Sequence, residues 1–219
     1  LYLQQRSLWL DEAALATAIT NHSLTGLLFT SLGGQSAPLG FVLASNLSIS
    51  LFGPSELALR LIPLMSGVAI LFLGKFVAGR VSNSGAVQLF IVTSFSASPL
   101  LSYYSQEFKQ YSSDALSSLL VITMWLAIER RPSKRRVGLL AAFGFTLAVF
   151  SLTASVGLFA ILFLSLLRIT NGLGVPKLPL QIRELARLSA WWFGGIGLQL
   201  AYQFFSLRAS RRELRDFWQ

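Results

Sequence analysis

The stretch that decides the fold runs from Val137 to Leu167, "VGLLAAFGFTLAVFSLTASVGLFAILFLSLL". It carries no charged residue. At about 1.5 Å of rise per residue, one helix over its whole length would overrun the roughly 30 Å hydrocarbon core of a bilayer. "SLTAS", Ser151 to Ser155, lies near its middle. The reading is two short or tilted helices joined by a tight turn. One helix or two decides on which side of a membrane everything after Leu167 falls.

The rest of the composition agrees with a membrane setting. Of the 219 residues, 53% are hydrophobic and 12% charged, against about 25% charged in a usual soluble domain. Cysteine is absent, which excludes disulfides and thiolate metal sites, and a single histidine, His22, excludes a multi-histidine zinc site. No phosphate-binding loop, dinucleotide fingerprint or nucleophile elbow is present. The chain begins at Leu1 with no basic leader and closes on "RRELRDFWQ". It reads as an internal piece of a longer protein, with at least one membrane helix before Leu1.

Further spans are expected over Leu59–Val77, Ala86–Tyr103, Ala115–Ile128 (reaching full length from Ser112) and Leu188–Leu207, with Trp191 and Trp192 in an interfacial belt. Six spans put three basic groups on one side. These are Lys75 and Arg80; Arg130, Arg131, Lys134, Arg135 and Arg136; and Arg168, Lys177, Arg183 and Arg187. That is the inward excess of positive charge that topology requires, and a single 137–167 span would break it. The basic tail, with Arg208, Arg211, Arg212 and Arg215, falls on the outward side against that rule, and nucleic acid is not among the expected partners. The fold class is all-α: a polytopic transmembrane bundle with interfacial amphipathic helices in its first outward loop. The divisions are 1–58, the outward loop; 59–207, about six membrane helices; and 208–219, the start of an outward segment.

Residues 11 to 32 show apolar residues at helical spacing, Leu15, Ile19 and the Leu24/Leu27/Leu28 group, which suits a helix lying along the outer interface. Asp11 and Glu12 fall at its N-terminus, where they either cap it or serve chemistry. Leu39 to Phe52 is too short to span and reads as re-entrant or interfacial, and "FGPSE", Phe52 to Glu56, as a turn opening a helix. Glu107, Gln110, Tyr111 and Asp114 follow i, i+3, i+4, i+7. They form either one helix face toward a water-filled cavity or a solvated loop. Lys109 would point away from that face unless the helix begins after it. Arg208, Arg211, Arg212 and Arg215 repeat the spacing and suit either a phosphate or anionic headgroups.

"SLWLDEA", "QSAPLGFVL", "LFGPSELALRLIPLMSGVA" and "LLSYYSQEFKQYSSD", in that order, resemble the N-terminal module of the polytopic, polyprenyl-phosphate-sugar-dependent glycosyltransferases. This is the C-type superfamily of the protein O-mannosyltransferases and the bacterial aminoarabinose transferases. The resemblance covers most of Trp9 to about Leu167 and continues weakly to "RDFWQ". It implies an integral protein of the bacterial inner membrane whose periplasmic or extracellular face transfers a sugar from a lipid phosphate to an acceptor. By that likeness Asp11 is the catalytic base or a metal-site residue and Glu12 its catalytic neighbour. Glu107 is the acidic residue of the second outward loop, catalytic or metal-holding with Asp11. Lys109 matches a position that is often basic and would meet the donor phosphate; by their spacing and charge alone Arg208, Arg211, Arg212 and Arg215 would join it, and Gln110, Tyr111 and Asp114 would line the cavity. Mg²⁺ or Mn²⁺ is the cation such carboxylates favour. Expected partners are the polyprenyl-phosphate sugar, membrane lipids and other membrane subunits. The rival readings are a non-catalytic scaffold subunit that keeps this fold inside a larger complex, and a small-solute transporter, for which no inverted repeat is visible.

Overall fold

The computed structural model describes residues 7–29, 32, 34–130, 134–170 and 182–217. Among these every long element is an α-helix and no strand occurs: α1 Leu10–Asn21, α2 Leu39–Phe52, α3 Glu56–Val81, α4 Gly85–Ser96, α5 Pro99–Tyr104, α6 Tyr111–Arg130, α7 Lys134–Phe150, α8 Leu152–Thr170 and α9 Ile182–Phe217. Two helical windows, Glu56–Val81 and Tyr111–Ile128, are long and apolar enough to cross a membrane.

The deciding stretch folds as two helices that meet at Ser151. Ser151 Oγ accepts the Ala154 N–H at 3.0 Å, so the hydroxyl caps the new helix as the old one ends. Contacts fix the helix directions. On α7 and α9, Gly144 lies against Trp192, and Gly195 against Phe145 and Ala148, so the two run parallel with α8 returning between them. Ser118 meets Thr153, and Gly157 meets Val121, so α6 and α8 are also parallel. α3 and α6 share Ser66 and Ser113 at 3.2 Å.

One end of the bundle therefore collects the start of α1, the start of α2, the 105–110 connection and the Ser151 joint. Phe150 of that joint lies on Gly40. The α3 N-terminus belongs to the same end. Gly53, at φ 81°, turns the chain out of α2, and Ser55 Oγ accepts the Ala58 N–H to start α3. A core of Leu15, Ile19, Leu27, Phe41, Leu59 and Phe108 fills this end; a second, with Val121, Trp125, Leu140, Leu158 and Trp192, joins α6 to α9.

Four expectations change. The run from Ala86 to Tyr103 is two helices, because Ser98 caps a new one at Pro99 and accepts the Leu101 N–H. The helix begun at Leu10 stops at Asn21, with a 3-10 turn at Gly26–Leu28, so residues 11 to 32 are not one amphipathic element. α9 continues unbroken past Leu207 to Phe217, so the segment from 208 opens as more of the same helix. Trp192 is fully buried, its indole N–H donating to the Leu140 carbonyl at 3.2 Å, while Trp191 alone of the pair is exposed.

Candidate active site

The sequence "WLDE" builds the site locally. Asp11 and Glu12 occupy the first turn of α1, and Glu12 reaches back so that its Oε2 accepts the Trp9 N–H at 2.9 Å, half of a capping box. Its other oxygen, Oε1, accepts the N–H of Phe108 from the 105–110 connection. Arg60, one turn into α3, places Nη2 at 3.8 Å from Glu12 Oε2 and Nη1 at 3.6 Å from Glu56. Glu12 is 1% exposed and Arg60 5%. Glu12 is thus committed on both oxygens and walled from solvent. It fastens α1, α3 and the 105–110 connection together and is not free to meet a substrate.

Asp11 differs. Its side chain is 50% exposed, and its Oδ2 lies 2.6 Å from Lys109 Nζ. The Lys109 hydrogen bond holds the Asp11 carboxyl below its ordinary value of 3.8, against a smaller opposing effect of desolvation. Lys109 also donates to Gln35 Oε1 at 3.0 Å. It takes part because α6 begins at Tyr111, two residues after it. The same fact undoes the expected helical face: Glu107 and Gln110 precede the helix, and only Tyr111 and Asp114 belong to it.

Gln110 donates to the Ser36 carbonyl at 3.2 Å, and Ser36 Oγ to Gln203 Oε1 at 2.8 Å. Gln203 in turn donates to the Ala37 carbonyl, and Gln199 accepts the Leu39 N–H. These bonds tie the Lys109 region to α9. Glu107 is half-buried, its Oε1 without a hydrogen-bond partner, and the same holds for Asp114 Oδ1.

The arginines are not brought to Asp11. Gln199, Gln203, Ser206 and Ser210 form the buried face of α9, whereas Arg208, Arg211 and Arg215 are exposed, on the opposite face by helical geometry. Arg208 lies over the Phe204 ring at 5.3 Å. The Arg212 side chain lies outside the described ones.

No group of three His, Asp or Glu side chains converges as a metal site among the described residues. Asp11, the first expected ligand, already faces the Lys109 ammonium, so this donor set does not fit a divalent ion. Arg60 was missed by sequence reading, although a charged residue inside "ELALRLIPL" demands a partner. Gln35, Gln199 and Gln203 gave no signal. No family model, curated protein or solved structure matches the chain.

Proposed function

We propose that the chain is the N-terminal module of a membrane glycosyltransferase that moves a sugar from a polyprenyl-phosphate donor to an acceptor hydroxyl at the outer face of the bacterial inner membrane. The observation that carries this reading is the half-exposed Asp11 held 2.6 Å from Lys109 by a buried frame, at the end of two apolar helices long enough to span.

The bundle sits in the bilayer with α3, the broken α4–α5 pair, α6, α7, α8 and α9 crossing it. Supporting this, α4 has no buried residue although it reads "GAVQLFIVTSFS", and Phe72 and Phe90 are 74% and 73% exposed; such surface belongs in lipid or against a partner. The basic group around Arg135 then faces the cytoplasm.

In the reaction the acceptor oxygen bonds to the anomeric carbon as that carbon's bond to phosphate oxygen breaks. The phosphate leaves with the electron pair, and Asp11 takes the acceptor proton. The arriving phosphate draws the Lys109 ammonium toward itself and stabilises the leaving charge. Asp11, losing its cation, becomes the stronger base at that moment. Glu12 and Arg60 position this pair, and the α9 arginines serve anionic headgroups. Transfer from a polyprenyl-phosphate sugar by the full chain in membranes, with Asp11→Asn beside it, tests the reading. A fall of about 10²–10⁴-fold is expected. Equal rates would remove Asp11, and no transfer with any donor would favour the scaffold subunit.

A further inference from the structure

Residues 35–38 form an irregular strap across the outward end, between Gly34, at φ 77°, and the start of α2. The strap is fastened on two sides. From the 105–110 connection, Gln110 Nε2 donates to the Ser36 carbonyl at 3.2 Å. From α9, Gln203 Nε2 donates to the Ala37 carbonyl at 2.7 Å, and its Oε1 accepts the Ser36 hydroxyl at 2.8 Å. Gln199 Oε1 accepts the Leu39 N–H at 2.9 Å. A segment without helix or strand needs such partners for its backbone groups, and here side-chain amides supply them. Gln35, whose own N–H closes a turn on the Leu32 carbonyl at 3.1 Å, is therefore presented in one place.

What Gln35 meets there is Lys109. The Lys109 side chain is 10% exposed and carries three N–H donors. One goes to Asp11 Oδ2 at 2.6 Å and one to Gln35 Oε1 at 3.0 Å, which leaves the third for an incoming oxygen. The two acceptors differ in charge. Asp11 neutralises the ammonium, whereas an amide oxygen binds a charged donor firmly and carries no charge of its own. With an apolar residue at 35 the ammonium would have Asp11 alone. With a carboxylate there it would be neutralised twice.

We propose that Gln35 is a positioning residue for the transfer, whose amide oxygen holds the Lys109 ammonium between Asp11 and the incoming phosphate without neutralising it. The assignment rests on the glycosyltransferase reading and adds to it the group that decides how Lys109 is shared. As the phosphate draws the ammonium from Asp11, the bond to Gln35 keeps Nζ in reach of both, so the cation turns and does not travel. The other charged groups nearby are engaged elsewhere or neutral to this exchange. Glu12, Arg60 and Glu56 face one another where α1 meets α3, and Glu107 precedes Lys109 by two residues on the same connection.

The test follows the Asp11 carboxyl by infrared difference titration, each chain against its Asp11→Asn counterpart, in lipid nanodiscs and beside transfer from a polyprenyl-phosphate sugar. Gln35→Glu puts a second carboxylate on the ammonium and a like charge near Asp11, and should raise the Asp11 midpoint by about one pH unit. Gln35→Leu leaves the ammonium to Asp11 alone. It should lower the midpoint and cut kcat/KM about tenfold at about pH 7. Gln203→Leu, which unfastens the strap from α9, should also lower the midpoint, and should add nothing in the presence of Gln35→Leu. If Gln35→Leu does not fold, Gln35→Met keeps the length without the acceptor and carries the same expectation. Midpoints that stay in place, or that move the same way with Glu and with Leu, would overturn the assignment, since a strap that only supports the fold would disturb Asp11 alike whatever replaced Gln35. Transfer by the parent with unmoved midpoints would reject Gln35 alone. Moved midpoints without transfer by the parent from any donor would reject the glycosyltransferase, and the role of Gln35 in transfer with it.

Discussion

Glu12→Gln separates support from catalysis, because the two adjacent carboxylates sit in opposite environments. Glu12 is 1% exposed and accepts from Phe108 and Trp9 on different oxygens while facing Arg60. Glutamine keeps one oxygen and replaces the other with a donor, so one of those N–H groups must face an N–H. A lost buried partner costs about 1–3 kcal/mol. Breaking a buried ion pair costs about 3–5 kcal/mol, and less than the full sum applies here, since Glu56 stays 3.6 Å from Arg60. A total of about 3–5 kcal/mol, at about 2–4 °C per kcal/mol for a chain of this size, lowers Tm by roughly 6–20 °C. Asp11→Asn removes an ion pair that is half in solvent, worth about 0–1 kcal/mol.

The assay is thermal unfolding of each variant in detergent, read from tryptophan fluorescence, beside transfer at a temperature where all are folded. Glu12→Gln should melt early yet keep measurable transfer while folded. Asp11→Asn should melt as the parent does and lose transfer. The argument fails if Glu12→Gln keeps the parent Tm and loses as much activity as Asp11→Asn. A carboxylate that contributes nothing to folding and everything to rate would be touching the reacting atoms.

Lys109→Gln removes the ammonium beside Asp11, so the acid limb of kcat/KM should move to higher pH, as a pH–rate profile will show. The sign is set by the depressed Asp11 pKa in the folded chain. The pair's contribution to stability is present above the ordinary 3.8 and is lost as pH falls through the folded value, and that acid sensitivity should be reduced in the variant. Gly195→Ala puts a Cβ 2.6 Å from the Phe145 carbonyl oxygen. It should destabilise by about 1–3 kcal/mol, whereas Gly197, with nothing within 4 Å, should accept alanine with a gain of about 0.5–1 kcal/mol, both read from Tm. Because Lys109 stands where a cation would, EDTA should change transfer by less than about twofold.

The helical plan was legible because the sequence signals for it are local. "FSLTAS" joins the end of one helix to a serine that caps the next, a signal that needs no distant partner. The break at Ser98 was equally local, a serine before Pro99, but a continuous apolar run concealed it. The site was legible in its residue types and illegible in its roles. Asp11 and Glu12 are neighbours with the same chemistry, and a helix turns adjacent positions about 100° apart. Which one faces the core depends on where Arg60 and Phe108 arrive, the latter from 96 positions along the chain. The arginine spacing was real but says nothing of azimuth. Only the buried glutamines at 199 and 203 show that the stripe looks away from Asp11. Periodicity locates a face; contacts between distant segments decide what that face meets. That order of dependence explains why Arg60 was overlooked. Its meaning lies in a carboxylate 48 positions earlier, and an isolated charge in an apolar helix is the one sequence signal that asks for such a distant partner without naming it.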